Sequence, residues 1–207
     1  MSAQAGAEPE LRHLANTPAT LTLPQTWFDL VRTGGGCYGL STLPGGPPPW
    51  LRPAMTVRAR VVQVKRVAAG TGVSYGHRYH TAGPATLGLV PLGYGEGIPR
   101  NAAGLAQVQL RGRRQQIAGT VCMNQFVIDA GDGPVAEGDE VVLFGPGNAG
   151  EPTPQEWADA LGTISYEIVT GFGGRTPRSY FGVAYGNHPV HAGAGTGGPG
   201  SDPAPPA

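Results

Sequence analysis

A chain of 207 residues with a formal net charge of zero has room for one core domain with appendages. No basic stripe interleaves with aromatics, which argues against nucleic acid as a partner. The first residues lack an apolar signal core and no apolar run reaches about 18 residues, so a cytoplasmic protein without a membrane segment is expected.

Residues 1–10 are polar and expected to be disordered. The stretch Pro24–Val31 reads as a helical turn leading into a strand. The run Gly34-Gly35-Gly36 then demands a loop or a close approach. Residues 43–53 (LPGGPPPWLRP) read as a linker, because proline and glycine block both helix and ladder. From Ala54 to Phe144 the pattern is mostly strand. Val57, Ala59 and Val61 alternate, and then the apolar phase moves to Val62 and Val64. Such a shift predicts a bulge, since one extra residue changes the buried face. Further strands are expected at Thr86–Pro91, Ala106–Leu110, Gln116–Val121, Phe126–Asp129 and Glu140–Phe144. Arg111, Arg113 and Arg114 flank Gly112 in a predicted solvated hairpin turn.

Thr153-Pro154-Gln155-Glu156 forms a capping box with proline at the first helical position. The helix should run to Leu161 and stop at Gly162, with a second short helix around Ser165–Val169. Residues 182–207 carry too little apolar area to offset ordering and are expected to be a disordered tail. The predicted fold class is mainly β: a small antiparallel β-barrel or sheet with two short helices.

Three features constrain the chemistry. Cys37 and Cys122 show neither a CxxC pair nor metal spacing, which predicts buried free thiols and no metal site. Lys65 is the sole lysine, so any lysine chemistry uses it or comes from another chain. Its place between Val64 and Arg66 predicts a solvated strand lysine. Gly145-Pro146-Gly147-Asn148-Ala149-Gly150 formally matches GxGxxG. The dinucleotide motif needs its last glycine to open a helix, and Glu151-Pro152 intervene before the predicted helix.

Several segments occur in a telling order. Arg12-His13-Leu14-Ala15-Asn16-Thr17 and Leu30-Val31-Arg32-Thr33-Gly34-Gly35 come first. Val73-Ser74-Tyr75-Gly76, Gly93-Tyr94-Gly95-Glu96-Gly97 and Val121-Cys122-Met123-Asn124-Gln125 follow, and then Gly162-Thr163-Ile164-Ser165-Tyr166-Glu167. Together they resemble the alanine racemase family over about residues 11–181. The resemblance implies that 11–42 are the last part of a (β/α)8 barrel and that 54–181 are the family's C-terminal β domain. A complete barrel needs on the order of 250 residues, and only about 40 here match one. The barrel and its Schiff-base lysine are therefore expected from a barrel-containing partner chain.

The resemblance further implies pyridoxal 5'-phosphate as cofactor, a small amino-acid substrate and a dimer, either a homodimer or a pairing with a barrel-containing racemase chain, in which this domain completes a partner's site. The reaction would interconvert L- and D-alanine, supplying D-alanine to peptidoglycan precursors. Tyr75 matches the catalytic tyrosine acting in trans. A tyrosine has an ordinary pKa of about 10, so that role calls for cationic neighbours. In an extended segment His77 would share its face, with Arg78 opposite. Arg32 matches the arginine at the pyridine nitrogen. Thr17 stands where the family uses a serine on the cofactor phosphate, with Gly34 and Gly35 adding backbone donors. The family usually has a branched residue at position 35. Tyr94 and Met123 match substrate-pocket positions, with the Met123 backbone N–H facing the substrate carboxylate. Asn124 replaces a usual aspartate and removes a negative charge. Without its own lysine the chain is expected to be inactive alone; the alternatives are a non-catalytic dimerisation or regulatory module, or an inactive relic.

Overall fold

The computed structural model describes residues 9–43 and 45–181, together with Gly6. The expected tail at 182–207 lies outside these described residues. The chain divides into two units, residues 1–175 and 176–207; among the described residues, every element of regular structure lies in the first.

Near the N-terminus, β1 (His13–Asn16) and β2 (Leu30–Arg32) pair in parallel. The expected barrel strands are thus held to each other, with Asp29 donating its N–H to the Arg12 carbonyl and pairing with the Arg12 guanidinium. Between them lies a helix the sequence pattern does not announce, α1 (Thr17–Thr22), which buries no residue. Its start is local: the Asn16 side chain accepts from Ala19 N, and Pro18 lies in the first turn, where its missing N–H costs nothing. Residues 34–38 form a 3-10 turn closed by Gly39 at φ 74°. A Cβ at Gly39 would sit 1.6 Å from the Arg52 carbonyl oxygen, so only glycine permits this approach.

The main body is a seven-stranded antiparallel sheet. Its strands are β3 (Val57–Arg60), β4 (Gln63–Val67), β7 (Ala85–Val90), β8 (Gln107–Leu110), β9 (Arg113–Ala118), β10 (Phe126–Asp129) and β11 (Glu140–Phe144). The order is β3-β11-β8-β9-β10-β7-β4. Since β3 runs straight on towards β4, both ends of the sheet are carried by one stretch of chain. The expected bulge at Val61–Val62 is this corner. Val61 still bonds to Asp139 and Gly138 beside β11, while Val62 N donates to Leu89 O of β7. The phase shift therefore marks a change of partner, which curls the sheet into the expected barrel-like form. A separate two-stranded ribbon, β5 (Gly72–Val73) with β6 (Tyr79–His80), projects the segment around Tyr75.

β-Branched and aromatic side chains on the inner face, among them Val61, Ile117, Phe126, Ile128 and Val141, form the core. The helices α2 (Pro154–Leu161) and α3 (Ser165–Gly171) add Trp157, Ile168 and Val169 to it. Phe144 packs edge-on against both Trp157 and Phe172 at 5.7 and 5.4 Å, a favoured aromatic geometry. The indole of Trp157 is satisfied by the Gln107 carbonyl at 2.8 Å. The capping box is present in both directions, with Thr153 accepting from Glu156 N and Glu156 accepting from Thr153 N. Gly162 ends α2 in the left-handed conformation. Arg111 and Gly112, both at positive φ, form the two-residue turn from β8 to β9. Its arginines are not merely solvated, because Arg111 pairs with Asp139 and Arg114 with Glu156.

Candidate functional site

An open cavity of about 810 Å³ gathers Tyr75, Tyr94 and Met123, three of the residues singled out from sequence. Three loops meet here: the turn after β5, the GYGEG turn after β7 and the VCMNQ turn before β10. Tyr75 does not sit in extended backbone as expected. It opens a 3-10 turn, Tyr75–His77, with Ser74 at φ 61°, Gly76 at 71° and His77 at 44°. The turn is tied down by Ser74 Oγ donating to Thr120 O and by Thr120 Oγ1 donating to Tyr75 O. The Tyr75 side chain therefore projects, 74% exposed, from an anchored backbone. His77 correspondingly does not share a strand face with Tyr75; its ring packs against Gly72 instead.

Tyr94 and Met123 are placed by direct loop-to-loop bonding: Tyr94 N donates to Cys122 O and Gly95 N to Met123 O. Gly93 has no room for a Cβ, which would lie 2.2 Å from the Cys122 carbonyl oxygen. Among the described residues no hydrogen bond uses the Met123 N–H, so this donor stands free beside the cavity. Asn124 lines the same cavity and accepts from Arg175 at 3.0 Å. Among the described residues, Arg100 is the one charged side chain in the lining. Sequence reasoning overlooked it, although it closes the same loop that begins at Gly93.

Thr17, Arg32, Gly34 and Gly35 form a second group, and none of them lines the Tyr75 cavity. Thr17, the first residue of α1, accepts from Gly36 N through its hydroxyl. Gly34 and Gly35 head the 3-10 turn, so their N–H groups have no acceptor inside it. Tyr166 of α3 lies over this turn, its ring 3.6 Å from where a Gly35 Cβ would stand. It too was missed as a site residue, though it falls in one of the matching segments. Arg32 donates to Leu14 O, which holds the guanidinium beside β1. A hydroxyl, glycine amides and a fixed guanidinium are the donors an aromatic phosphate ester needs, so this group fits such a cofactor.

Other expectations need correction. Both cysteines are free, but neither is buried: Cys37 is exposed beside Thr33, and Cys122 is part-exposed at the cavity. Cys37 sits on a 3-10 turn that buries no residue, and Cys122 sits on a loop lining the open cavity, so neither side chain is enclosed. Lys65 lies exposed on β4 opposite Leu87, away from either group. The GxGxxG loop is filled from within: buried Glu151 accepts from Gly147 N and Ala149 N, both at 2.8 Å. Amides that would cradle a dinucleotide phosphate are already used.

The model of the alanine racemase C-terminal domain matches residues 54–180. The chain belongs to the alanine racemase family. The alanine racemase of Thermobifida fusca (strain YX) is 59% identical over 180 residues, 87% of this chain and 48% of that protein. The alanine racemase of Mycobacterium leprae is 50% identical over 173 residues, 83% of this chain and 45% of that protein. Among solved alanine racemase structures, that of Streptomyces coelicolor A3(2) superposes with TM-score 0.81 at 54% identity, covering 86% of this chain and 47% of its own. The Bacillus anthracis alanine racemase with bound L-Ala-P superposes with TM-score 0.76 at 34% identity, covering 83% of this chain and 45% of its own. The chain thus spans about half the length of the alanine racemases it matches. No helix among the described residues is long and apolar enough to cross a membrane.

Proposed function

We propose that this chain is the C-terminal part of a pyridoxal 5'-phosphate-dependent alanine racemase, and that its Tyr75 serves a cofactor held on a partner subunit. The observation that carries the reading is the separation of the two groups. Tyr75, Tyr94 and Met123 converge on one cavity, while Thr17, Arg32, Gly34 and Gly35 gather elsewhere in the same unit. A pairing of two subunits would let each contribute one group to either site.

Racemisation takes a proton from one face of the α-carbon and returns one to the other. When bound, the cofactor supplies the electron sink that makes that carbon acidic. Tyr75 holds or accepts the proton at its phenol oxygen on one face, while the partner's lysine serves the other. The free Met123 N–H and the Arg100 guanidinium receive the substrate carboxylate, and Tyr94 restricts the side of the cavity open to a small side chain. In the other site of the pair, Thr17, Gly34, Gly35 and Tyr166 of this chain would hold the phosphate, and the partner would supply the tyrosine. Arg32, permanently charged, would face the pyridine nitrogen and disfavour its protonation. Lys65 takes no part.

The test mixes this chain with a polypeptide carrying the barrel and its lysine, adds pyridoxal phosphate, and follows alanine interconversion by circular dichroism. Borohydride trapping and peptide mapping then locate the cofactor. Turnover in the mixture alone, with cofactor trapped on the barrel lysine, supports the proposal. Trapping on Lys65, or turnover by this chain by itself, refutes it.

A further inference from the structure

The loops that carry Tyr94 and Met123 contain a charged residue that proton transfer does not use. Glu96 has only 10% of its side chain exposed. One carboxylate oxygen accepts from Gly93 N at 2.8 Å; the other pairs with Arg175 Nη2 at 2.9 Å. That same nitrogen donates to Asn124 Oδ1 at 3.0 Å. Arg175, 51 residues beyond Asn124 in sequence, therefore joins the GYGEG turn to the VCMNQ turn. The turns already meet through the bonds from Tyr94 N to Cys122 O and from Gly95 N to Met123 O. Gly95 has no Cβ because one would lie 2.8 Å from the Arg175 guanidinium.

We propose that Arg175 is a positioning residue: by bridging Glu96 to Asn124 it fixes the turn that presents the Met123 N–H to a substrate carboxylate. The carboxylate half of this statement rests on the racemase reading above. The physical logic is one of unequal burial. Glu96 is nearly buried and needs a counter-ion, whereas Arg175 is 58% exposed and can be drawn into place at little desolvation cost. Once held by Glu96, the guanidinium has a second proton on the same nitrogen to spend on residue 124. An amide oxygen at Asn124 accepts it without adding charge, so Arg175 keeps one ionic partner and the cavity rim stays more positive than an aspartate would leave it. That favours an incoming carboxylate.

The experiment uses the full chain and then the assembled racemase. The amide hydrogens of Tyr94 and Gly95, both donated across the two turns, report on the clamp by hydrogen exchange. Arg175→Ala should speed their exchange about tenfold, the equivalent of roughly one charge-assisted hydrogen bond, with the β10 and β11 amides unchanged. Asn124→Ala should do the same in smaller measure, and Asn124→Asp, which keeps an acceptor, should hold exchange slow. In the assembled racemase Arg175→Ala should raise KM for alanine more than it lowers kcat, and Asn124→Asp should raise KM despite slow exchange. Unchanged exchange and unchanged KM in Arg175→Ala, with wild-type turnover present, would overturn the clamp and spare the racemase reading. Equal acceleration across the whole sheet would also overturn it, since Arg175 would then serve only the fold. A wild-type assembly without turnover would overturn the racemase reading, and with it the carboxylate role, whatever the exchange shows.

Discussion

Replacing Glu151 with glutamine isolates one buried carboxylate whose only visible work is to hold a loop. Its two oxygens accept from Gly147 N and Ala149 N, one each, and the residue is 6% exposed. Burial pushes the carboxyl towards the neutral form, but backbone N–H groups around the loop outweigh it and hold the pKa below the usual carboxylate range. Glutamine keeps one acceptor and turns an NH2 towards the other amide, leaving a buried donor facing a donor. The lost charge-assisted bond and the unpaired amide together cost about 2–3 kcal/mol, or roughly 5–10 °C in Tm for a protein of this size. Thermal and urea unfolding at neutral pH read this directly. The pH dependence carries a second signature. A carboxylate more acidic in the folded chain contributes stability that is complete above the unfolded pKa and lost as pH falls through the lower folded value. The gap between wild type and Glu151→Gln should therefore be widest near neutrality and close in acid. A gap within about 0.5 kcal/mol at pH 7 would refute the reasoning.

Two glycines a few residues apart should respond in opposite directions. A Cβ at Gly35 meets Tyr166 and Leu40 at ordinary contact distances, so Gly35→Ala should stabilise by about 0.4–1 kcal/mol in urea unfolding. Gly39→Ala should cost at least about 2 kcal/mol in the same assay, because positive φ and the Arg52 carbonyl both exclude a side chain. At alkaline pH, Tyr79 gives a third test. Burial, and then its hydrogen bond to Asp129, push its pKa from 10.0 up to about 12. Stability from the neutral phenol is complete below the unfolded value and lost as pH rises through the folded one. The stability difference between wild type and Tyr79→Phe should hold steady up to pH 10.0 and shrink towards about 12; a flat difference across that window would sink the assignment.

What the sequence disclosed follows the range of the interactions involved. The helix from Pro154 was legible because its cap, its first-turn proline and its stop at Gly162 lie within ten residues of one another. Phe126–Asp129 and Glu140–Phe144 were legible as short apolar runs between turn residues. The strand expected at Gln116–Val121 begins instead at Arg113, because the two-residue turn at Arg111-Gly112 sets its register with β8. At Val61–Val62 the pattern recorded a shift of phase, but only the pairing shows that the chain there leaves β11 for β7. The helix α1 was hidden because six residues without a buried face leave no period to read.

In the site, the family motifs marked Tyr75, Tyr94 and Met123, yet no periodicity warned that Ser74 and His77 take positive φ and turn Tyr75 outward. Arg175 was invisible for a plainer reason: its partners Glu96 and Asn124 are far from it in sequence, and nothing in its own surroundings names them.

The most direct test of the central claim follows each enantiomer of alanine separately in deuterium oxide, with this chain assembled with a barrel-bearing partner and pyridoxal phosphate. If Tyr75 serves one face of the α-carbon, Tyr75→Phe should cut racemisation by about 10²–10⁴-fold. It should abolish α-hydrogen exchange for one enantiomer while leaving exchange of the other near the wild-type rate. Equal loss for both enantiomers, or no loss for either, would contradict the assignment of Tyr75 as an acid–base group acting across the subunit boundary.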